Sequence, residues 1–502
     1  MHRITAHPAD GSTRALFNNR ASRSIEQAAL AATPPHTLMQ RAGLAVARLA
    51  LAVAPHAHTI WIACGPGNNG GDGLEAALHL HRWGKHVVAT WLGDETHAPA
   101  DALASLARAR AAGVLLADTP PTDLDAHDLV IDALLGLGSK RAPSGRMAQW
   151  ITQINAGPAS VLAVDLPSGL NGDTGAIHFE ASAAASTSGN QYIQAQHTLC
   201  LLTLKPGLFT GLGRDAAGQI WLDTLEVDTS TAPASALLNP APAPRVRSHA
   251  SHKGSYGDVA IVGGAPGMTG AALLAASAAL HGGAGRVFAA LLTPSPETSA
   301  LNTSQPELML RDVSDLALAT LTVVCGCGGG AAVAEVLPRL LQNAPRLVLD
   351  ADALNCVAAD PGLQAQLQAR RAASQATILT PHPLEAARLL GVTTAAVQAD
   401  RLGAAQQLAE RFECVVVLKG SGSVIATPQA QPFINPTGNA RLATAGTGDV
   451  LAGLAGALLA AGRSPTEAAC DAVFLHGLAA DQWPPGQALT AGALARALSP
   501  PS

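Results

Sequence analysis

Short apolar runs alternate along this chain with longer segments whose apolar residues recur at helical spacing. In the first half, Thr59–Ala63 predicts a buried strand, Leu74–Trp83 a helix and His86–Leu92 the next strand. Asp128–Ala133 and Val161–Asp165 predict two more short strands, which bring Asp132 and Asp165 to strand ends. In the second half, Asp258–Val262 predicts a strand, Gly263–Gly270 a turn and Ala271–Leu280 a helix. The strands Arg346–Leu349, Ala376–Leu379 and Cys414–Leu418 follow, and then the helix Asp449–Ala461. The pattern predicts two tandem three-layer α/β domains, 1–228 and 250–502, joined by a Pro-, Ala- and Ser-rich linker, 229–249. Strand ends of an open parallel sheet gather at one edge, so Gly67–Asp72, Asp132 and Asp165 are expected around one crevice.

Composition fits that picture. The 502 residues are enough for two domains of about 200–250 residues each. Glycine is abundant, with 49 residues, and aromatics make up only 3%, as suits tight strand–helix turns and close helix packing. A net charge of −5 argues against a broad nucleic-acid surface. The apolar runs Leu44–Ala54 and Leu451–Ala460 are too short to span a bilayer, and the N-terminus shows no continuous signal-type run. No membrane or nucleic-acid partner is therefore expected. Seven scattered cysteines without a framework predict a reducing, cytoplasmic setting, with Cys325 and Cys327 packing a loop and holding no metal.

Two motifs carry the chemistry. Gly65-Pro66-Gly67-Asn68-Asn69-Gly70-Gly71-Asp72-Gly73 lies between a strand and a helix. It satisfies GxGxxG, and Asp94 and Glu95 follow the next strand, which admits a nicotinamide-binding reading. Two adjacent Asn and an Asp offer oxygens better suited to a cation or polar ligand. A purely structural turn is the plainest alternative.

With Leu38-Met39-Gln40-Arg41-Ala42-Gly43, Asp132-Ala133-Leu134-Leu135-Gly136, Val164-Asp165-Leu166-Pro167-Ser168-Gly169-Leu170 and Leu204-Lys205-Pro206-Gly207-Leu208, this half resembles the epimerase domain of bifunctional NAD(P)H-hydrate repair enzymes. The resemblance implies a Rossmann-like domain that interconverts the R and S epimers of hydrated NADH and NADPH (NADHX and NADPHX) at C6. It implies hydrate contacts from Asn68, Asn69, Gly70, Gly71 and Asp72, from Gly136, Leu137, Gly138, Ser139, Lys140, Arg141 and Ala142, and from Asp165, the catalytic residue. Asn69, Asp132 and Ser168 are implied to bind potassium. Ala195-Gln196-His197-Thr198 lacks the Asp usual at that place, and Ala181–Gly189 is atypical, which bears on the sheet edge.

The second motif is Gly446-Thr447-Gly448-Asp449. At a helix N-terminus, such a turn presents backbone amides to a transferred phosphoryl group, and its Asp can take a proton from the attacking hydroxyl. Lys419-Gly420-Ser421-Gly422-Ser423 and Asn435–Asn439 precede it. Together with His252–Gly257, Gly267–Ala271, Pro306–Met309, Asp350–Leu354 and Thr380–Glu385, this half is similar to the ribokinase-like, ADP-dependent NAD(P)H-hydrate dehydratases. The resemblance implies phosphorylation of the C6 hydroxyl of the S-hydrate by ADP, then loss of phosphate. Asp449 is implied as base, Gly448 and Lys419–Ser423 as nucleotide contacts, and Ala271, Gly330 and His382 as hydrate contacts. His382 alone would read as structural. Gly326-Cys327-Gly328-Gly329-Gly330 departs from the family's usual loop at its fourth residue. Mg²⁺ is expected with the phosphates, with Glu385 one candidate ligand among several acids. A ribokinase-like vitamin kinase with an N-terminal regulatory or scaffold domain is the alternative. A homo-oligomer is expected because related domains tend to assemble.

Overall fold

The computed structural model describes residues 1–5, 13–138, 141–177, 191–244, 248–292 and 305–500. Ser139, Lys140 and the whole of Ala181–Gly189 lie outside them. The chain forms two compact units that meet at Ala236/Leu237. Leu237 and Leu238, within the compositional linker, pair in parallel with Phe433 and Ile434 of the second unit.

In the first unit the sheet runs His2–Arg3, Gln219–Asp223, His197–Leu201, Ser160–Val164, Leu129–Ala133, Thr59–Cys64, His86–Trp91, Leu115–Ala117. All neighbours are parallel except the first pair. Strand side chains alternate between faces, and that alternation builds the layers. Ile60, Ile62 and Cys64 join one apolar core, which also takes in the helices Thr37–Val53 and Asn68–Arg82. Trp61 and Ala63 join the other, with Trp150, Ile151 and Ile154 of the helix Gly145–Ala156. His197–Leu201 is hydrogen-bonded on both sides, so the atypical sequence there leaves the sheet continuous. Strand order reverses between Thr59–Cys64 and Leu129–Ala133, where such sheets open a crevice at their carboxyl ends.

The second unit is also three-layered, with the order Met309–Leu310, Arg286–Leu291, Asp258–Gly263, Thr322–Cys325, Arg346–Leu349, Ala376–Leu379, Val415–Leu418, Val424–Ala426, Phe433–Ile434. The strands are parallel as far as Val415–Leu418, antiparallel from there to Phe433–Ile434, and parallel again where Ala236–Leu238 extends the sheet. Val259 and Ile261 face one core and Ala260 and Val262 the other.

Both key helices begin earlier than the apolar pattern predicts. The first starts at Asn68, so Asn-Asn-Gly-Gly-Asp forms its opening turns. Close packing explains the glycines: a β-carbon on Gly70 would stand 2.0 Å from the Gly65 carbonyl oxygen. The second helix, Thr447–Ala460, starts after Gly446, whose φ of +88° favours glycine. It is buried almost all round. A β-carbon on Gly453 would stand 2.0 Å from the Ala275 carbonyl oxygen on the neighbouring helix. Gly453→Ala is therefore expected to cost about 1–3 kcal/mol by overpacking, measured as a lowered melting transition of the second unit by calorimetry.

Candidate functional site

The first unit holds a cavity of about 510 Å³ at its crevice. Asn68, Asn69 and Asp72 line it from the helix start, Gly136, Leu137 and Gly138 from the loop after Leu129–Ala133, and Asp165 from the end of Ser160–Val164. Gly70 and Gly71 are buried in helix packing and are not part of that wall. Ser168 ties the neighbouring loops together. Its N–H and Oγ–H donate to Asp132 at 2.8 and 2.6 Å, and its Oγ accepts from Leu135 N–H at 2.8 Å. Burial pushes the Asp132 carboxyl up to about 6, against the pull of those Ser168 bonds. One side-chain atom of Asn69, Nδ2, is buried without a partner.

Asp165 stands in the left-handed region at φ +68°, an unusual place for a non-glycine residue. Its carboxylate accepts from Leu201 N–H at 3.1 Å and from the Lys205 ammonium. Lys205 is wholly buried and also donates to the Leu201 carbonyl at 2.9 Å. Glu26, from the helix Asn19–Ala32, and Asp101 line the same cavity. Asp72 is driven well above the ordinary carboxylate range, first by burial and then by Asp165, Glu26, Asp101 and Glu75. Burial, then Asp165, likewise raises Glu26. The wall thus mixes a carboxylate paired to Lys205 with two carboxyls, those of Asp72 and Glu26, raised above their ordinary values.

In the second unit, Asp449 lies in the first turn of Thr447–Ala460. A β-carbon on Gly448 would lie 3.4 Å from Lys419 Nζ, so the helix opening and the lysine adjoin. Lys419 donates to Asp350 at 2.6 Å, and Thr380 Oγ–H donates to the same oxygen at 2.8 Å. Lys419–Ser423 is the turn of the hairpin joining Val415–Leu418 to Val424–Ala426. Buried Arg401 braces it through the Leu418 and Lys419 carbonyls at 3.3 and 3.2 Å.

His382 caps the helix Pro383–Leu390. Its Nδ1 accepts from Leu384 and Glu385 N–H, while the Glu385 carboxylate accepts from His382 N–H at 2.7 Å. Gly330 N–H donates to Asp352 at 2.8 Å, and a β-carbon on Gly328 would meet Ala271 at 2.8 Å, which brings that loop against Ala271.

The ligand-type atoms of Cys327, Asp350 and Asp449 lie within 4.8 Å of one another. The loop that Cys327 packs thus borders the two carboxylates, whereas Cys325 closes the strand Thr322–Cys325. A thiol is a poor partner for Mg²⁺, and Asp350 is already engaged by Lys419 and Thr380. Glu385 is likewise committed to His382 and lies 4.0 Å from Lys419. Neither set fits a directly held Mg²⁺.

Two family models match the chain: YjeF-related protein N-terminus over residues 35–207 and NAD(P)H-hydrate dehydratase over 259–500. The bifunctional NAD(P)H-hydrate repair enzyme Nnr of Escherichia coli K12 is 37% identical over 466 residues, covering 89% of this chain and 85% of that protein. The chain belongs to the bifunctional NAD(P)H-hydrate repair enzymes. The ADP-dependent (S)-NAD(P)H-hydrate dehydratase of Neisseria meningitidis serogroup B is 43% identical over 262 residues, covering 51% of this chain and 87% of its own. Among solved structures, the ADP/ATP-dependent NAD(P)H-hydrate dehydratase of Bacillus subtilis, co-crystallised with ATP/Mg²⁺, is 29% identical with a TM-score of 0.43, covering 51% of this chain and 92% of its own.

Family motifs pointed to Asp165 and Asp449 but not to the groups that hold them. Lys205 stood in the family motif Leu204–Leu208, as a cation in an apolar stretch, with no role attached to it. Glu26 carried no local signal, and Cys327 stood in the glycine loop Gly326–Gly330 as a packing residue. Lys205→Met leaves Asp165 without its ion partner, so the first unit is expected to lose about 3 kcal/mol. Urea unfolding followed by tryptophan emission measures this, because every tryptophan except Trp483 lies in that unit. Asp165→Asn on top of Lys205→Met is expected to restore much of the loss.

Proposed function

We propose that the first unit interconverts the two C6 epimers of hydrated NADH and NADPH, and that the second dehydrates the S epimer using ADP. The observation that carries the second half is the setting of Asp449 in the opening turn of a buried helix, beside Gly448 and Lys419. Free N–H groups there stabilise charge on a transferred phosphoryl group. Asp449 takes the proton of the C6 hydroxyl as its oxygen attacks the β-phosphorus of ADP, and AMP departs. The C6–O bond then breaks with loss of phosphate, a C5 proton leaves, and the C5=C6 double bond of the dihydronicotinamide returns. Lys419, with the turn through Gly420, Ser421, Gly422 and Ser423, meets the nucleotide. Ala271, Gly330 and His382 face the hydrate in this reading. ADP brings Mg²⁺ on its phosphates; no step is assigned to a protein-held ion.

In the first unit Asp165, held by Lys205, is the catalytic carboxylate, positioned to stabilise a cationic ring at C6 or to accept a proton. Asn68, Asn69, Asp72 and Gly136–Gly138 surround the hydrate. Asn69, Asp132 and Ser168 would hold potassium. The unpartnered amide end of Asn69 supports this, since turning it about its last bond presents an oxygen. The ion would supply a fixed positive charge at that wall. Seven free cysteines support a reducing, cytoplasmic setting, and no helix among the described residues is long and apolar enough to cross a membrane.

Mixed R and S NADH hydrates, supplied with ADP, Mg²⁺ and K⁺, are expected to return fully to NADH, read by nicotinamide absorbance. Asp165→Asn is expected to stop the fast phase at the S fraction. Asp449→Asn is expected to abolish repair while the epimers still equilibrate. Full-rate repair by Asp449→Asn would overturn the proposal. Burial, then Asp350, pushes the Asp449 carboxyl up to about 6. A base must be ionised, so kcat/KM for dehydration is expected to fall about tenfold per unit as pH drops below that value, with no corresponding loss above it.

A further inference from the structure

We propose that Cys327 is a positioning residue for dehydration: its buried thiol donates a hydrogen bond to the Asp449 carboxylate, aims it, and favours its proton-accepting form. The inference rests on Asp449 being the base.

Cys327 is held on both sides. Gly326 and Gly328 stand at φ +118° and +59°, where glycine is at ease. The Cys327 carbonyl accepts from Gly264 N–H at 3.0 Å. A β-carbon on Gly326 would stand 1.9 Å from the Asp350 carbonyl oxygen, so the loop is pressed against the end of Arg346–Leu349. The side chain is completely buried. Its sulfur lies within 4.8 Å of carboxylate oxygens on both Asp350 and Asp449, close enough for the thiol to address Asp449.

Charge decides the direction of that bond. Burial, then Asp350 and Asp449, drives the thiol well above its ordinary value, while Lys419 opposes weakly. The sulfur therefore keeps its proton and acts as donor. Asp449 faces Asp350 and Asp352, which disfavour its ionisation as burial does, and Cys327 and Lys419, which favour it. Lys419 is bonded to Asp350, so the thiol is the donor addressed to Asp449 itself. It leaves the second carboxylate oxygen for the substrate hydroxyl. The same burial excludes a nucleophilic role for Cys327, because the thiolate is the reactive form.

The test is the pH dependence of kcat/KM for the S-hydrate, with ADP saturating. Cys327→Ala is expected to move the acid limb up by roughly half a unit to one unit, a loss of about three- to tenfold below the limb and little above it. KM for ADP is expected to stay put. Cys327→Ser retains a donor and is expected to restore the limb, which a packing role alone would not require. In the unaltered enzyme, the S–H stretching band that disappears in Cys327→Ser is expected to shift to lower frequency as pH rises through the limb. This readout needs no folded alanine variant. An unmoved limb in Cys327→Ala, a serine variant that behaves like alanine, or a band indifferent to pH would overturn the proposal. Turnover by Asp449→Asn would remove the base itself; its loss, combined with an unmoved limb, would remove the role of Cys327 alone.

Discussion

Each unit keeps an acidic side chain where water is scarce, and in each a lysine lies against it. Asp165 rests on Lys205 in the first unit and Asp350 on Lys419 in the second. Taking a charge out of water costs several kcal/mol, and attraction repays that only when geometry is good and further hydrogen bonds complete the pair. Both pairs meet this condition: the Leu201 N–H and carbonyl serve one, the Thr380 hydroxyl the other. Around these pairs the remaining acids are free to take up other states, which is how carboxyls of different character share one wall.

The pairs differ in what they present. In the first unit the paired aspartate itself lines the cavity, in a strained backbone conformation that surrounding contacts must hold. In the second the paired aspartate is almost fully buried, and its charge acts on a neighbour, Asp449. One arrangement offers a stabilised anion to the ligand. The other raises the proton affinity of Asp449, the base of the proposed function, whose helix opening would meet the phosphate.

The alternation of strand and helix was legible because core-facing residues change sides at every step of a strand, as Ile60, Trp61 and Ile62 do. Asp132 and Asp449 were legible because motif and element end coincide. Helix starts were less so. Glycine and asparagine look like loop formers, and only the closeness of Gly70 to the Gly65 carbonyl shows that Gly70 must be bare for the helix to open there. Partners distant in sequence left no trace: Lys205 lies 40 residues from Asp165, and no spacing rule links Cys327 to Asp449. The linker was read from composition, yet Leu237 and Leu238 lie in a strand, because two apolar residues in a proline-rich stretch suffice to extend a sheet edge.

His382 shows how a cap determines chemistry. With Nδ1 committed to the two amides of the helix it opens, its proton must reside on Nε2. That nitrogen lies 3.2 Å from Glu385. The imidazole is thereby fixed as a single tautomer, able to give a hydrogen bond outward but not to receive a proton there without losing its hold on the chain. The acceptor beside that N–H is Glu385 itself, so in the proposed function an oxygen that meets the ring would share the proton with this carboxylate.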